Sequence, residues 1–198
     1  MKTIVVATKN EGKLREMMDA FRDLPVTLLP LSQFGDLPDA VEDGATFAEN
    51  AAIKARFYMK ATGVACLADD SGLEVDALSG APGVYSARFA GVHGDDAANN
   101  AKLIAELTRV GREDSPAAYR CALALADTDG HLLTATGVCF GTVRLLARGT
   151  GGFGYDPYFY FSDDKTMAEL TPREKDAVSH RGAALREMAQ ALRRYLLP

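Results

Sequence analysis

The chain has 198 residues, of which 47% are hydrophobic and 25% charged, with a formal net charge of −5. That length supports one substantial core, and the composition is that of a globular protein rather than a disordered one. The charge balance speaks against a protein that wraps a nucleic-acid backbone, and no apolar run approaches the ~18 residues of a membrane-crossing helix.

Residues 3–7, with Ile4, Val5 and Val6 at their centre, read as a buried strand too short to be a signal-peptide core. Gly12 to Asp23 reads as a helix whose Leu14, Met17, Met18 and Phe21 form one apolar face. Pro25 to Pro38 is irregular apart from a short strand at Val26–Leu29. Thr46 opens a second helix: Thr46-x-x-Glu49 is a capping box, Phe47, Ala51, Ala55 and Tyr58 make the buried stripe, and Gly63 stops it.

Val64–Ala68 reads as a strand ending in Asp69-Asp70-Ser71-Gly72. A long loop follows, carrying Gly80-Ala81-Pro82-Gly83 and Tyr85-Ser86-Ala87-Arg88. Asp95 to Thr108 is expected as a third helix with Ala97, Ala101, Ile104 and Ala105 inward. Tyr119–Ala126 and Leu132–Val143 are strands joined by the turn Asp127-Thr128-Asp129-Gly130, and Tyr119, Cys121, Leu123 and Leu125 repeat with period two. Tyr158–Phe161 is a further short strand. Thr171-Pro172-Arg173-Glu174 combines a capping box with proline at the first helical position. Ser179 is expected to cap the last helix, where Leu185, Met188, Ala189 and Leu192 share a face. With no internal repeat or composition break, residues 1–198 read as one α/β domain with a mixed sheet, because hairpin-linked strands sit among helix-linked ones. Cys66, Cys121 and Cys139 lie in apolar, strand-like stretches without C-x-x-C spacing, which suits buried free thiols in a reducing, cytoplasmic compartment.

Four constellations could carry chemistry. Thr8-Lys9-Asn10-Glu11-Gly12-Lys13 lies between a strand and a helix, where unpaired N–H groups and the helix dipole suit a phosphate; equally, Asn10 could be a plain cap and Lys13 a surface lysine. It lacks the spacing of a Walker A loop. Asp69-Asp70 at a strand end, with Glu42 and Asp43 upstream, offers the hard oxygens Mg²⁺ prefers, although an Asp-turn has the same composition. Only one of two adjacent strand residues can face a cleft. Gly149 to Pro157 places four glycines around Phe153 and Tyr155, a pattern suited to close backbone approach and to an aromatic face against a nucleobase. Lys175 and Ser179-His180-Arg181 supply cations for a phosphate or a base carbonyl. His93 and His131 read as capped or solvated residues; nothing has zinc-ligand spacing or a nucleophile elbow.

Taken in order, Thr8-x-Asn10-x-Gly12-Lys13, Ala68-Asp69-Asp70-Ser71-Gly72-Leu73, the run from Gly80 to Arg88, Gly151-Gly152-Phe153-Gly154-Tyr155-Asp156-Pro157 and Ser179-His180-Arg181-Gly182 resemble the inosine/xanthosine triphosphate pyrophosphatase family. The resemblance runs from residue 3 to the final helix. It implies a long curved mixed β-sheet flanked by helices, in two lobes around a central substrate cleft, and a homodimer. It also implies Mg²⁺-assisted cleavage of ITP, dITP or XTP, a small-molecule substrate, to the monophosphate and pyrophosphate. By position, Asp70 would be the general base and lie near the metal, with Glu42 a further metal-side carboxylate and Asp43 its rival. Thr8, Asn10, Lys13 and Ser71 would hold the triphosphate. Phe153, Gly154, Tyr155, Asp156, Lys175, His180 and Arg181 would contact base and ribose. Two rivals make different demands: a septum-associated nucleotide pyrophosphatase would lack the Ser-His-Arg and Gly-Phe-Gly-Tyr-Asp motifs, and a triphosphate-sensing regulator would have no need of Asp70 beside further acids.

Overall fold

A computed structural model describes residues 2–196. Its strands are β1 (Lys2–Val6), β2 (Val26–Pro30), β3 (Ala65–Val75), β4 (Asp114–Ala126), β5 (Leu132–Arg144) and β6 (Phe159–Tyr160). Its helices are α1 (Glu11–Phe21), α2 (Phe47–Thr62), α3 (Asp96–Arg109), α4 (Pro172–Val178) and α5 (His180–Leu196). Among the described residues one mixed sheet has the order β2-β1-β3-β4-β5-β6. β1 runs parallel to β2, with Lys2 opposite Val26, and parallel to β3, with Ile4 opposite Ala65. β6 is antiparallel to β5, with Val143 opposite Phe159. None of the described helices is long and apolar enough to cross a membrane.

The chain folds as two compact units. The first takes the residues up to Asp70, Cys121–Gly137 and those from Arg181 onward. Its core joins Ile4, Val6 and Leu67 of the sheet to Met17 and Phe21 of α1 and to Leu185, Met188 and Leu192 of α5. The second takes Ser71–Arg120 and Val138–His180, with Leu73, Val75, Tyr119, Val143 and Phe159 packed against Leu103 and Leu107 of α3. Each such large apolar side chain contributes about 1.5–3 kcal/mol when fully buried.

Local chemistry explains the helix ends. Asn10 caps α1 by accepting the Lys13 N–H, and Thr46 caps α2 by accepting that of Glu49. The Glu49 carboxylate reaches back to the Ala45 N–H. Gly63, at φ +70, ends α2 in the left-handed conformation that glycine adopts without strain. Thr171 and Glu174 form the reciprocal capping box of α4, with Pro172 in its first turn.

Four expectations need correction, and a fifth, the cap of the last helix, falls in place. The strand expected to stop at Ala68 continues to Val75, so Asp69, Asp70, Ser71 and Gly72 lie within β3 rather than in a turn at its end. Tertiary partners override local turn preference there: the Leu73 N–H is taken by the Ser86 hydroxyl, and Asp69 is ion-paired. On α3 the expected alanine face is wrong, since Ala97, Ala101 and Ala105 are exposed while Asn99, Leu103 and Leu107 are buried. Two leucines offer far more apolar area than three alanines, and packing followed area. Cys121 to Ala126 is buried on both faces despite its period-two pattern. Met18, expected on the apolar face of α1, is 40% exposed. Ser179 closes α4 with its N–H on the Lys175 carbonyl and, in extended conformation, immediately precedes His180, the first residue of α5, which is the capping position expected of it.

Candidate active site

In the first unit, the alternation of β3 sends the two aspartates to opposite faces. Asp69 is 2% exposed and sits 2.9 Å from Lys13 Nζ and 3.5 Å from a terminal guanidinium nitrogen of Arg181. Burial alone would raise its carboxyl pKa, but Lys13, Arg181 and Lys54 outweigh burial and hold it well below the ordinary carboxylate range. Arg181, fully buried, also donates to Glu16 Oε2 at 2.9 Å.

Asp70 shows the opposite balance. It is 9% exposed, and burial, reinforced by the charges of Glu42 and Asp69, pushes its pKa up to about 6 against the opposing pull of Lys54 and a hydrogen bond with Asn50. Lys54 Nζ lies 3.1 Å from Glu42 Oε1 and donates to the Asp69 carbonyl at 3.0 Å. Asn50, buried on α2, accepts the Gly44 N–H at 2.8 Å. A Cβ at Gly44 would come within 2.7 Å of that Asn50 oxygen, so only glycine lets the 42–45 segment approach α2 this closely. The approach turns Glu42 toward Lys54 and leaves Asp43 exposed.

Thr8 and Asn10 shape the entry to α1: the Thr8 hydroxyl accepts the Asn10 N–H at 3.1 Å, while Asn10 Oδ1 caps the helix. Lys9 is drawn away to Asp39 at 2.7 Å. Lys13 is therefore the cation of this segment that stands beside the aspartates of β3.

The donor chemistry of Glu42 and Asp70 fits Mg²⁺. Both are oxygen ligands, and Asp70, whose carboxyl pKa is raised first by burial and then by the nearby charges of Glu42 and Asp69, is a buried acid that a divalent cation would hold ionised. Among the described residues, a separate acidic/His cluster at the β4–β5 turn could also hold a metal ion: ligand atoms of Asp127, Asp129 and His131 lie within 4.8 Å of one another. Asp127 is already engaged there by Lys2, Tyr195 and His131.

In the second unit the glycine-rich loop closes around Asp156. One oxygen of this buried carboxylate accepts from Lys175 Nζ at 2.7 Å and from the Phe153 N–H at 3.0 Å, and the other accepts the Tyr119 hydroxyl at 3.2 Å. A Cβ at Gly152, whose φ is +71, would fall 2.0 Å from the same carboxylate. Glycine is required there both for conformation and for space. Lys175 Nζ stands 4.2 Å above the Phe153 ring centroid, and the His180 ring stacks on Tyr119 with centroids 4.6 Å apart.

The two aromatics of the loop have separate fates. Phe153 stays half-exposed, whereas Tyr155 is buried in the core and donates its hydroxyl to the Ser86 carbonyl at 2.7 Å. Burial pushes the Tyr155 phenol pKa far up. Gly154 is held by its backbone: its N–H donates to Asp96 at 2.7 Å and its carbonyl accepts from Asn100 at 2.9 Å. Ser71 is half-buried at the start of this unit's part of β3.

The structure thus groups Lys13 and Arg181 around Asp69, pairs Glu42 with Lys54, whose charge also acts on Asp69 and Asp70, and gathers Phe153, Gly154, Asp156 and Lys175 in the second unit. His180 and Arg181, consecutive in sequence, part company: the ring stacks on Tyr119 and the guanidinium joins Glu16 and Asp69. Sequence reading missed Asn50, Lys54, Tyr119, Asp96 and Asn100. For Asn50 and Lys54 a signal was present, since they lie one turn apart beside the buried Ala51 and Ala55 of α2.

An α/β fold with buried, opposed carboxylates and an ordered glycine loop defines a class that comparison with other proteins narrows. The model of the Ham1 family matches residues 4–191, and the chain belongs to that family. It is 53% identical over 186 residues to a dITP/XTP pyrophosphatase of Geobacter sulfurreducens, covering 93% of this chain and 94% of that protein. To the dITP/XTP pyrophosphatase of Streptomyces coelicolor it is 45% identical over 199 residues, covering 99% and 100%. The solved structure of a HAM1 protein from Coxiella burnetii superposes with a TM-score of 0.89 at 44% identity, covering 98% of this chain and 100% of that one. The Staphylococcus aureus Ham1 protein gives 0.85 at 37% identity, covering 97% and 98%.

Proposed function

We propose that this chain hydrolyses the non-canonical purine nucleoside triphosphates ITP, dITP and XTP to the nucleoside monophosphate and pyrophosphate, removing them from the nucleotide pool. The carrying observation is Asp70, a buried carboxyl with a pKa pushed up to about 6 beside Glu42 and Lys54. Such a group is poised to take a proton near neutral pH. The curated relatives named above, dITP/XTP pyrophosphatases at 45–53% identity, support the substrate class.

Asp70 is the general base. It accepts a proton from the water that attacks the α-phosphorus as the bond to the bridging oxygen breaks and pyrophosphate departs. Glu42 and Asp70 would hold Mg²⁺, which would supply charge neutralisation on the polyphosphate. Lys13 exchanges Asp69 for a phosphate oxygen, and Thr8, Asn10, Ser71 and the first amides of α1 complete the triphosphate grip. Phe153, with Lys175 over its ring, takes a face of the purine. Gly154, Tyr155, Asp156, His180 and Arg181 complete the base and ribose contacts. Donors aimed at the 6-keto oxygen would be left unpaired by the amino group of adenine, which costs about 1–3 kcal/mol for each.

The reading includes a cytoplasmic homodimer. Buried free thiols suit a reducing compartment, and Phe140 and Leu146 are exposed apolar side chains of the kind an interface covers. A one-chain mass in light scattering would end the dimer. The deciding experiment for function is pyrophosphate release across ITP, dITP, XTP, ATP and GTP, with and without Mg²⁺. Cleavage of the first three with Mg²⁺ dependence is expected, and release from none of the three would overturn the reading.

A further inference from the structure

α3 begins with two polar side chains one turn apart, Asp96 and Asn100, and both bond the backbone of the same residue, Gly154, 54–58 residues away. Asp96 Oδ2 accepts the Gly154 N–H at 2.7 Å, and Asn100 Nδ2 donates to the Gly154 carbonyl at 2.9 Å. Gly154 is thereby gripped at both its donor and its acceptor. On one side of it Phe153 is tied by its N–H to Asp156, and on the other Tyr155 is tied by its hydroxyl to Ser86. Asn99, between the two gripping residues, bonds the Ala90 N–H and the Ala87 carbonyl, which anchors α3 to the segment holding Ser86.

Two features set this grip apart from ordinary fold maintenance. Gly154 has φ +62 and no atom within 4 Å of where a Cβ would lie, so on that side nothing packs against it and its backbone is fixed by the two hydrogen bonds. Asn100 Oδ1 is buried with no hydrogen-bond partner among the described residues, a desolvation penalty that an apolar residue of similar size would avoid.

We propose that Asp96 and Asn100 are positioning residues for base recognition: they lock the peptides on both sides of Gly154 and so hold the half-exposed Phe153 ring, beneath Lys175, as a rigid platform for the purine. This rests on the assignment of Phe153 to the base. Ordering a glycine-rich loop before the ligand arrives removes an entropic cost from binding, and the gain falls on the base alone.

The test uses the full chain with Mg²⁺ and two probes, measured by calorimetry: a non-hydrolysable α,β-methylene ITP, and inorganic tripolyphosphate, which has no base. Asp96→Ala and Asn100→Leu are each expected to raise Kd for the nucleotide about tenfold while leaving that for tripolyphosphate within about twofold. Asp96→Asn, which keeps an acceptor for the Gly154 N–H, should restore nucleotide affinity. Asn100→Leu should keep a Tm close to that of wild type, because the relief of the unsatisfied oxygen offsets the lost hydrogen bond to the Gly154 carbonyl. Asp95→Ala, which strips the α3 cap bonded to the Ala98 N–H without touching Gly154, should lower the Tm and keep the ratio of the two affinities. Equal weakening of both probes, or unchanged nucleotide affinity in both variants, overturns the proposal. A wild-type chain that binds tripolyphosphate but not the nucleotide instead sinks the base-site reading beneath it, and this inference with it.

Discussion

Asp69 and Asp70 are neighbours in β3, yet their carboxyl groups titrate in opposite directions, one held well below its ordinary range and the other pushed up to about 6. Cations surround the first; burial, with Glu42 close by, dominates the second.

This opposition has a signed consequence for stability in the absence of divalent cations. Asp69, depressed on folding, adds stability above the unfolded value of 3.8, and that stability is lost as pH falls toward its folded pKa. Asp70, raised on folding, favours the fold fully below 3.8 and loses that advantage as pH rises through about 6. Thermal melts with chelator present should therefore show Asp69→Asn less stable than wild type at about pH 7, with the gap starting to narrow only below about pH 4. Asp70→Asn should be more stable at about pH 7 by on the order of 2 kcal/mol, a gain that vanishes near pH 4. Parallel behaviour of the two variants would contradict the opposed environments.

The same Asp70→Asn variant should release pyrophosphate from ITP at least about a thousandfold more slowly while still binding nucleotide. Since its fold is expected to be firmer, the loss cannot be put down to unfolding. Single-turnover kinetics beside calorimetry would separate the two, and undiminished turnover would remove Asp70 from the base role.

Mg²⁺ should raise the melting temperature of wild type, and Asp70→Asn or Glu42→Gln should abolish most of that rise. Asp129→Asn tests the cluster at the β4–β5 turn in the same assay. If that substitution removes the shift and the other two do not, the ion sits with Asp127 and His131 instead.

Lys175→Met leaves the buried Asp156 carboxylate with hydrogen bonds but no cation. The expected cost is about 3 kcal/mol in urea denaturation, and Asp156→Asn on top of it should recover a sizeable part. Additive losses would mean that the two groups do not act as a pair.

Legibility in the sequence followed the range of the forces at work. Caps are local chemistry, and Asn10, Thr46 and Thr171 stand where their spacing placed them. The Leu185, Met188 and Leu192 stripe was equally plain, because three large residues leave one choice of face. β3 was cut short because Asp-Asp-Ser-Gly has the composition of a turn, and only Lys13, Arg181 and Ser86, distant in sequence, make those residues tolerable in a strand. The alanine face of α3 failed because alanine counts as apolar by type and contributes little area. At the site, motif residues were visible while their supports were not. Tyr119 lies 37 residues from the Asp156 it bonds, and Asp96 lies 58 from Gly154, separations at which no periodicity speaks.

The three cysteines offer a stopwatch. Cys66 and Cys121 lie in the first unit and Cys139 in the second, all buried, with thiol pKa values pushed up to about 12, about 12 and about 11. Neither access nor ionisation permits alkylation while the fold is closed. Each mass increment gained from a thiol reagent therefore timestamps one unit's breathing, and the order in which they arrive tells which half of the protein loosens first.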